Sequence, residues 1–473
     1  MRIAGRATAH ATRTALESAN ISDSWVRRLG RTGLSAAAVG FGTYRVDEAD
    51  PNHAAALDRA LARGLCLVDT AVNYGHGGAE RAVGAALRRG IDAGTLKREG
   101  VIVVTKLGYW QGELLDWLRR AEHPDSPAIA TLSDEHAHGL SPSLIRHAVE
   151  VSRERLGVQT LDVVLLHNPE YLLSPGPDAL RDGTDGERRA AFDRTVGEAF
   201  GTLEALVSEG AIGWYGVSSN TLGAEISEPK HTSVDAFVGL AEAAATGRGE
   251  AEHHLAVMQA PLNFAETRGA EAAAACARHG LGFLANRPLN AVIDGALVRL
   301  AAPSDLDAAG EPLPEARRRL RKLEEAVATS GNDGFPRWSH ELPDALRRLA
   351  TALDFDDFVS RYARPRTEAA LRGIAAPDAG RERALERWRD DYRAAFDALM
   401  ASARAALATR DAARLQSLAQ PLDDALVPGL RRGPLARRAL AFAATRPGVT
   451  AALCGMRRVA WVDEALALVQ TPR

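Results

Sequence analysis

The chain has 473 residues, 46% hydrophobic and 25% charged, a globular balance with room for one large domain carrying insertions or for two or three domains. Its formal net charge of -3 argues against a nucleic-acid surface, because the basic stretch Arg317 to Lys322 is short and reads as a solvated helix face. Cys66, Cys276 and Cys454 are odd in number and widely spaced in apolar runs, which argues against a disulfide framework or a zinc site and points to a reducing, cytoplasmic setting, and no run approaches the roughly 18 apolar residues of a membrane span.

Residues 1–27, arginine-rich and acid-poor up to Glu17, read as an N-terminal extension, disordered or loosely packed. From about Ser35, short apolar runs alternate with amphipathic segments, the pattern of repeated βα units. Strands are expected at 37–43, 66–69, 101–106, 161–167, 213–218, 257–261, 281–287 and 449–455. Several of the intervening helix-like stretches end in glycine, as a C-cap does. Eight such units predict a closed α/β barrel, the (β/α)8 TIM barrel, whose active site gathers at the C-terminal strand ends. A doubly wound nucleotide fold is the rival, but no G-x-G-x-x-G follows the first strand and no G-x-x-x-x-G-K-[ST] occurs. Gly75, Gly77 and Gly78 serve equally as a ligand contact or as a tight turn into a helix beginning near Ala79.

Long stretches follow Lys106 (to about Leu140), His167 (to about Thr195), Asn220 (to about Glu252) and Pro288 (to about Pro434). Each follows a strand, on the face where insertions build substrate walls. Residues 294–432 are expected to form a helical insertion between strand seven and its helix, as a lid or a dimerisation module. Residues 28–293 and 433–473 then form the barrel.

Three consecutive strands end in a reactive side chain: Asp69, with Tyr74 close behind it, then Lys106, then His167. Among 58 Lys+Arg only Lys97, Lys106, Lys230 and Lys322 are lysines, so an ammonium at the end of an apolar strand stands out. Lysine is a compact charge whose titration its neighbours can tune, which arginine is not. Carbonyl reduction needs a hydride from a cofactor and a proton for the developing alkoxide. A tyrosine at its ordinary pKa of about 10 is a weak acid, but a neighbouring ammonium stabilises its phenolate and a carboxylate fixes the ammonium. Tyr74, Lys106 and Asp69 fit those roles, and a neutral His167 would orient the substrate oxygen. Taken singly, Asp69 is equally a turn acceptor, Lys106 is open either way, His167 is equally a satisfied core histidine, and Tyr74 is more often packing than chemistry. Their joint position at strand ends favours chemistry.

At these residues the sequence resembles the aldo-keto reductase family. The matching segments are RRLGRTGLSAAAVGFGTYRV, DTAVNYGHGGAERAVGAAL, VIVVTKLG, VSRERLGVQTLDVVLLHNPE, LVSEGAIGWYGVSSN, VMQAPLNF, LANRPLNA and RPGVTAALCGMRR. The resemblance implies a barrel binding NADP(H), with Tyr74 as general acid and base, Lys106 and Asp69 tuning it, and His167 orienting the carbonyl. It further implies that Gly42 and Thr43 line the nicotinamide pocket and that Ser218, Ser219, Asn220 and Gln259 meet the carboxamide. Arg287, Pro288, Leu289 and Asn290 would pass over the pyrophosphate. Gly455, Met456, Arg457 and Arg458 would form the phosphate-binding segment, where arginine suits a ribose 2′-phosphate, with Glu464 on the adenine side. Two departures, Cys454-Gly455 for the usual Pro-Gly and Glu464-Ala465 for the usual Glu-Asn, keep NAD(H) open beside NADP(H).

The leading expectation is therefore an oxidoreductase interconverting a small-molecule aldehyde or ketone and its alcohol, without nucleic-acid or membrane partners. A cofactor-binding regulatory or scaffold barrel with little turnover is the alternative. A metal-dependent hydrolase would draw on His136, His138, His253 and His254, but these lie in loops rather than at strand ends, so no metal is expected. Tyr44, Tyr109, Trp110 and Trp117 are candidate substrate walls, with core packing expected for at least two of them.

Overall fold

A computed structural model of the protein describes residues 2–120, 129–293, 296–301, 311–328, 335–374 and 381–472. Eight parallel strands close into a barrel: β1 (Val39–Gly42), β2 (Leu67–Asp69), β3 (Ile102–Leu107), β4 (Leu161–His167), β5 (Ile212–Ser218), β6 (Leu255–Pro261), β7 (Gly282–Asn286) and β8 (Val449–Cys454). Each pairs with its neighbours in chain order and β8 returns to β1, so the architecture is the expected (β/α)8 barrel.

Period-two alternation positions the site. Leu67, Ile102, Val104, Val163, Leu165, Val257 and Leu284 share one buried cluster. Two residues further along each strand, on the same face, stand Asp69, Lys106, His167, Gln259 and Asn286. The apolar rungs thus end in a polar one at the C-terminal mouth.

Local signals set the helices. Pro142–Leu156 has proline in its first turn and ends at Gly157, whose φ of 65° lies in the left-handed region. Asp185–Ser208 begins well before the expected Thr195, because Thr184 and Glu187 form a reciprocal capping box in a stretch too polar to show helical periodicity. Val234–Gly247, capped by Ser233, occupies the stretch after Asn220 that read as irregular; its alanine-rich sequence carries little polar contrast.

The N-terminal segment is not loose. Thr8 caps the helix Ala9–Ser18, Ile3 pairs with Val158, and Leu16 and Trp25 are fully buried. Burying a leucine side chain contributes roughly 1.5–3 kcal/mol, which offsets the cost of ordering the segment. A hairpin of Val26–Arg28 and Ser35–Ala37 follows, and Leu29, Leu34 and Ala36 join the interior cluster at the N-terminal end of the barrel.

By its contacts the chain divides into two compact units, Met1–Pro288 with Leu440–Arg473, and Leu289–Ala439. The second has its own core, built on Leu320, Trp338, Phe355, Tyr392, Phe396 and Leu399. Its helices include Leu313–Ala328, Trp338–Arg348, Ala352–Phe358 and Glu382–Asp424. The stretch HELPDALRRLATAL breaks in two, because Leu349 is extended and Thr351 with Asp354 caps a new helix. Among the described residues no helix is long and apolar enough to cross a membrane.

Candidate active site

Lys106, fully buried, is the hub of the mouth. Its ammonium donates to Asp69 Oδ2 at 2.7 Å, to the Thr70 carbonyl at 2.9 Å and to the Tyr74 hydroxyl at 3.1 Å. The other Asp69 oxygen accepts from Gln259 Nε2 at 2.8 Å. Gln259 Oε1 in turn accepts from Ser218 Oγ at 3.3 Å and Asn286 Nδ2 at 3.2 Å. One polar network therefore joins the ends of β2, β3, β5, β6 and β7.

Tyr74 reaches that network from a tight turn. Tyr74–Gly77 is a 3-10 turn in which Gly75 and His76 have φ of 54° and 52°, and the helix Gly78–Asp92 follows directly. The turn is anchored by Val72, whose N–H donates to the Lys106 carbonyl at 3.0 Å and whose carbonyl accepts from Arg155 at 3.0 Å. At Gly77, with φ of 88°, a Cβ would come within 2.3 Å of the Arg155 guanidinium, so only glycine fits there.

Burial lifts the Tyr74 phenol above its usual pKa, and the Lys106 ammonium offsets that only in part. The net direction is upward, opposite to the lowering expected from Lys106, and keeps the phenol protonated at neutral pH. Burial likewise lifts the Asp69 carboxyl, with Lys106 pulling it back. For Lys106, burial works against the charge, but Asp69 and Tyr74 outweigh it and the ammonium is held charged. Burial first, then the charge of Lys106, pushes His167 well below its usual range, so its imidazole is neutral.

The His167 ring stands edge-on to Tyr74 at 5.9 Å and to Tyr109 at 4.9 Å, and Tyr44 meets Tyr74 edge-on at 5.1 Å. Trp110 is buried and stacks with Trp117, so those two pack and Tyr44 and Tyr109 flank the site.

The cofactor candidates are placed unevenly. Thr43 donates both N–H and Oγ1 to the Asp69 carbonyl, at 3.0 and 2.9 Å, and so supports the carboxylate's strand end. Ser218 joins the network. Ser219 is buried with its hydroxyl bonded to those of Thr221 and Thr232, while Asn220 is exposed and its N–H donates to Glu170 at 2.8 Å. Arg287, at φ of 53°, pairs with Glu266 at 3.0 Å, whereas Leu289 and Asn290 belong to the second unit. Gly42 and Gly455 lie close, since a Cβ on Gly455 would be 3.8 Å from the Gly42 carbonyl. Met456 is buried, Arg457 half-buried, Arg458 and Glu464 exposed. Arg458 with Asn52, Ala55 and Val459 lines a cavity of about 320 Å³ beside the first turns of Pro51–Ala62 and Val459–Val469. The four histidines weighed as metal ligands do not converge: His138 bonds the His167 carbonyl, while His254 pairs with Glu204 at the start of β6.

The model of the Aldo/keto reductase family matches residues 38–332, more than half of the chain. The chain belongs to the aldo/keto reductase family. Over 148 residues it is 30% identical to the NADH-specific methylglyoxal reductase of Escherichia coli (strain K12), covering 29% of this chain and 40% of that protein. Over 199 residues it is 27% identical to a D-threo-aldose 1-dehydrogenase of Pseudomonas sp, covering 40% and 51%. The chain thus spans about half or less of the length of these curated relatives. Among solved structures it is similar to the glycerol dehydrogenase of Gluconobacter oxydans, at 19% identity over 94% of this chain and 90% of that one, with a TM-score of 0.46. An aldo-keto reductase from Klebsiella pneumoniae in complex with NADPH matches at 23% identity over 57% and 69%, with a TM-score of 0.36.

Two residues of this aldo/keto reductase, Asn286 and Glu170, escape the sequence reading, and a third, His138, enters it only as a metal-ligand candidate. Asn286 supports Gln259, and the rule that finds Asp69 from Leu67 finds Asn286 from Leu284. Glu170 is buried and, lifted by that burial above the usual carboxyl range, accepts from the Asn220 N–H. His138 donates to the main chain of His167, a contact with no signal in local sequence.

Proposed function

We propose that the protein is an NADP(H)-dependent oxidoreductase interconverting a small-molecule aldehyde or ketone and its alcohol, with Tyr74 as general acid and base. One observation carries this reading: a single buried ammonium, Lys106, donates to both the Asp69 carboxylate and the Tyr74 hydroxyl, at 2.7 and 3.1 Å. In reduction, Tyr74 gives its proton to the substrate oxygen as charge develops there. The phenolate left behind faces Lys106, which Asp69 holds in place. His167, kept neutral, donates a hydrogen bond to the same oxygen and orients it without protonating it. In the reverse direction the Tyr74 phenolate takes the alcohol proton. When bound, the nicotinamide supplies and recovers the hydride.

The residues present suit a dinucleotide. Gly42 and Gly455 leave bare backbone beside the mouth, and Arg458, at the start of Val459–Val469, faces a cavity where a guanidinium favours a phosphate. Arg457 and Arg458 are the reason to place NADP(H) ahead of NAD(H), although the Escherichia coli relative is named NADH-specific. The buried thiols of Cys66, Cys276 and Cys454, none of them in a disulfide among the described residues, suit a reducing, cytoplasmic setting, and burial pushes Cys66 and Cys276 up to about 12, leaving those two inert.

Rapid mixing of NADPH-loaded protein with a panel of aldehydes and ketones tests the reading. Cofactor oxidation that accelerates with carbonyl concentration is expected. No acceleration by any member of a broad panel would overturn it.

A further inference from the structure

We propose that His138, carried by an insertion rather than by the barrel, is a positioning residue that fixes His167 in the catalytic mouth. The inference rests on the role given above to His167. Past β3 the chain builds a three-stranded antiparallel sheet from Tyr109–Trp110, Ile129–Ser133 and His136–Gly139, in which Tyr109 pairs with His138. That sheet turns the fully buried His138 onto β4, where its Nε2 donates to the main-chain carbonyl of His167 at 2.8 Å. A carbonyl only accepts, so the neutral ring carries its proton on Nε2.

The fit is close. A Cβ at Gly108, whose φ is 133°, would come 2.9 Å from His138 Nε2 and 3.2 Å from the His167 carbonyl oxygen. Glycine at the exit of β3 is what lets the histidine reach that carbonyl. The next residue is held as well: Asn168 is left-handed at φ of 50°, its N–H donates to the Ser218 carbonyl at 2.7 Å and its side-chain amide to the Tyr109 hydroxyl at 2.8 Å. Asparagine tolerates that conformation, and these two hydrogen bonds hold it there.

His167 depends on this grip because, among the described residues, its buried Nδ1 has no hydrogen-bond partner of its own. The ring stands edge-on to Tyr74 and Tyr109. Orientation of the imidazole is therefore inherited from the main chain, and His138 supplies the bond at that residue's own carbonyl. Without the donor, the carbonyl is left buried and unsatisfied, and the strand end relaxes toward other partners. Displacement of an orienting group by about 1 Å is enough to cost about 100-fold in rate.

The test compares three substitutions in the full chain. His138→Phe keeps the ring's bulk and removes the donor; His138→Gln returns an N–H to nearly the same point; His138→Asn stops short of the carbonyl and stands in for phenylalanine should that variant not fold. The expectation is a kcat of carbonyl reduction lowered about 10- to 100-fold in His138→Phe or His138→Asn, with NADPH affinity within about twofold of wild type. His138→Gln is expected to recover most of the loss. In parallel, the ring nitrogen NMR shifts of His167 should move in His138→Phe and return in His138→Gln. A kcat within twofold of wild type in the donor-less variants, a glutamine variant no better than they are, or unmoved His167 resonances would overturn the proposal. Failure of the functional reading registers separately, as wild-type protein that reduces no carbonyl, and the His167 resonances decide the positioning question even then.

Discussion

At the N-terminal end of the barrel, Asp162 accepts from the Ala7 N–H at 2.6 Å and from the Val103 N–H and the Arg98 guanidinium at 2.8 Å. Glu204 at the same end accepts from the Tyr215 hydroxyl and from both the N–H and the ring of His254, each at 2.7 Å. At the C-terminal end, the Asp69 carboxylate has two donors rather than three, and around it Thr70 Oγ1, His167 Nδ1 and Asn286 Oδ1 are buried without hydrogen-bond partners among the described residues, as only Arg98 Nε is in the Asp162 pair. The electrostatics follow the same division. Burial would lift Glu204, yet its donors hold it below the usual carboxyl range, whereas burial prevails at Asp69 and lifts it. A carboxylate whose lone pairs are satisfied serves stability, and one left partly short of donors among orphaned neighbours is available for chemistry.

Substitutions at the two ends should therefore separate activity from stability. The largest effect is expected for Lys106→Met, which removes the charge facing the phenolate and should lower kcat about 100- to 10,000-fold. A loss under tenfold would detach the lysine from proton transfer. Arg98→Met, at the opposite end, breaks a pair whose side chains are 3% and 1% exposed, and should cost about 3–5 kcal/mol of stability in denaturant titration while kcat per folded molecule stays near wild type. An activity loss larger than the stability loss would erase the distinction between the ends. The smallest effect concerns acid. Burial pushes His138 down from 6.5 to about 4, so the unfolded chain binds the extra proton first, and stability present above pH 6.5 is lost as pH falls toward 4. The loss from this residue is about 3 kcal/mol, seen as a melting temperature that drops between those values in wild type and drops less in His138→Phe. Equal acid sensitivity in the two would assign the effect elsewhere.

The same contrast explains what was legible in the sequence. Asp69, Lys106 and His167 each end a continuous apolar run, so their place at the strand ends is legible in the sequence, while their inward face is shown by Leu67, Val104 and Leu165, two residues earlier in one buried cluster. Asn286 stands two residues past Leu284 in the same way, but Arg287 beside it is a second polar residue at that strand end, so the sequence does not single out Asn286. Gln259 became a candidate only through family resemblance. The N-terminal segment misled because its apolar anchors, Leu16 and Trp25, are sparse and its partners, Asp162 and Val158, lie far along the chain. His138 was legible only as a loop histidine, since its role depends on an inserted sheet folding back onto β4.

The most direct test is Tyr74→Phe, which removes one oxygen atom and leaves Lys106, Asp69 and the edge-on contact with His167 in place. Single-turnover oxidation of bound NADPH by a reactive aldehyde should slow by a factor of at least about 100, with NADPH affinity nearly unchanged. Turnover close to wild type in that variant would contradict proton delivery by the phenol and with it the catalytic reading of the mouth.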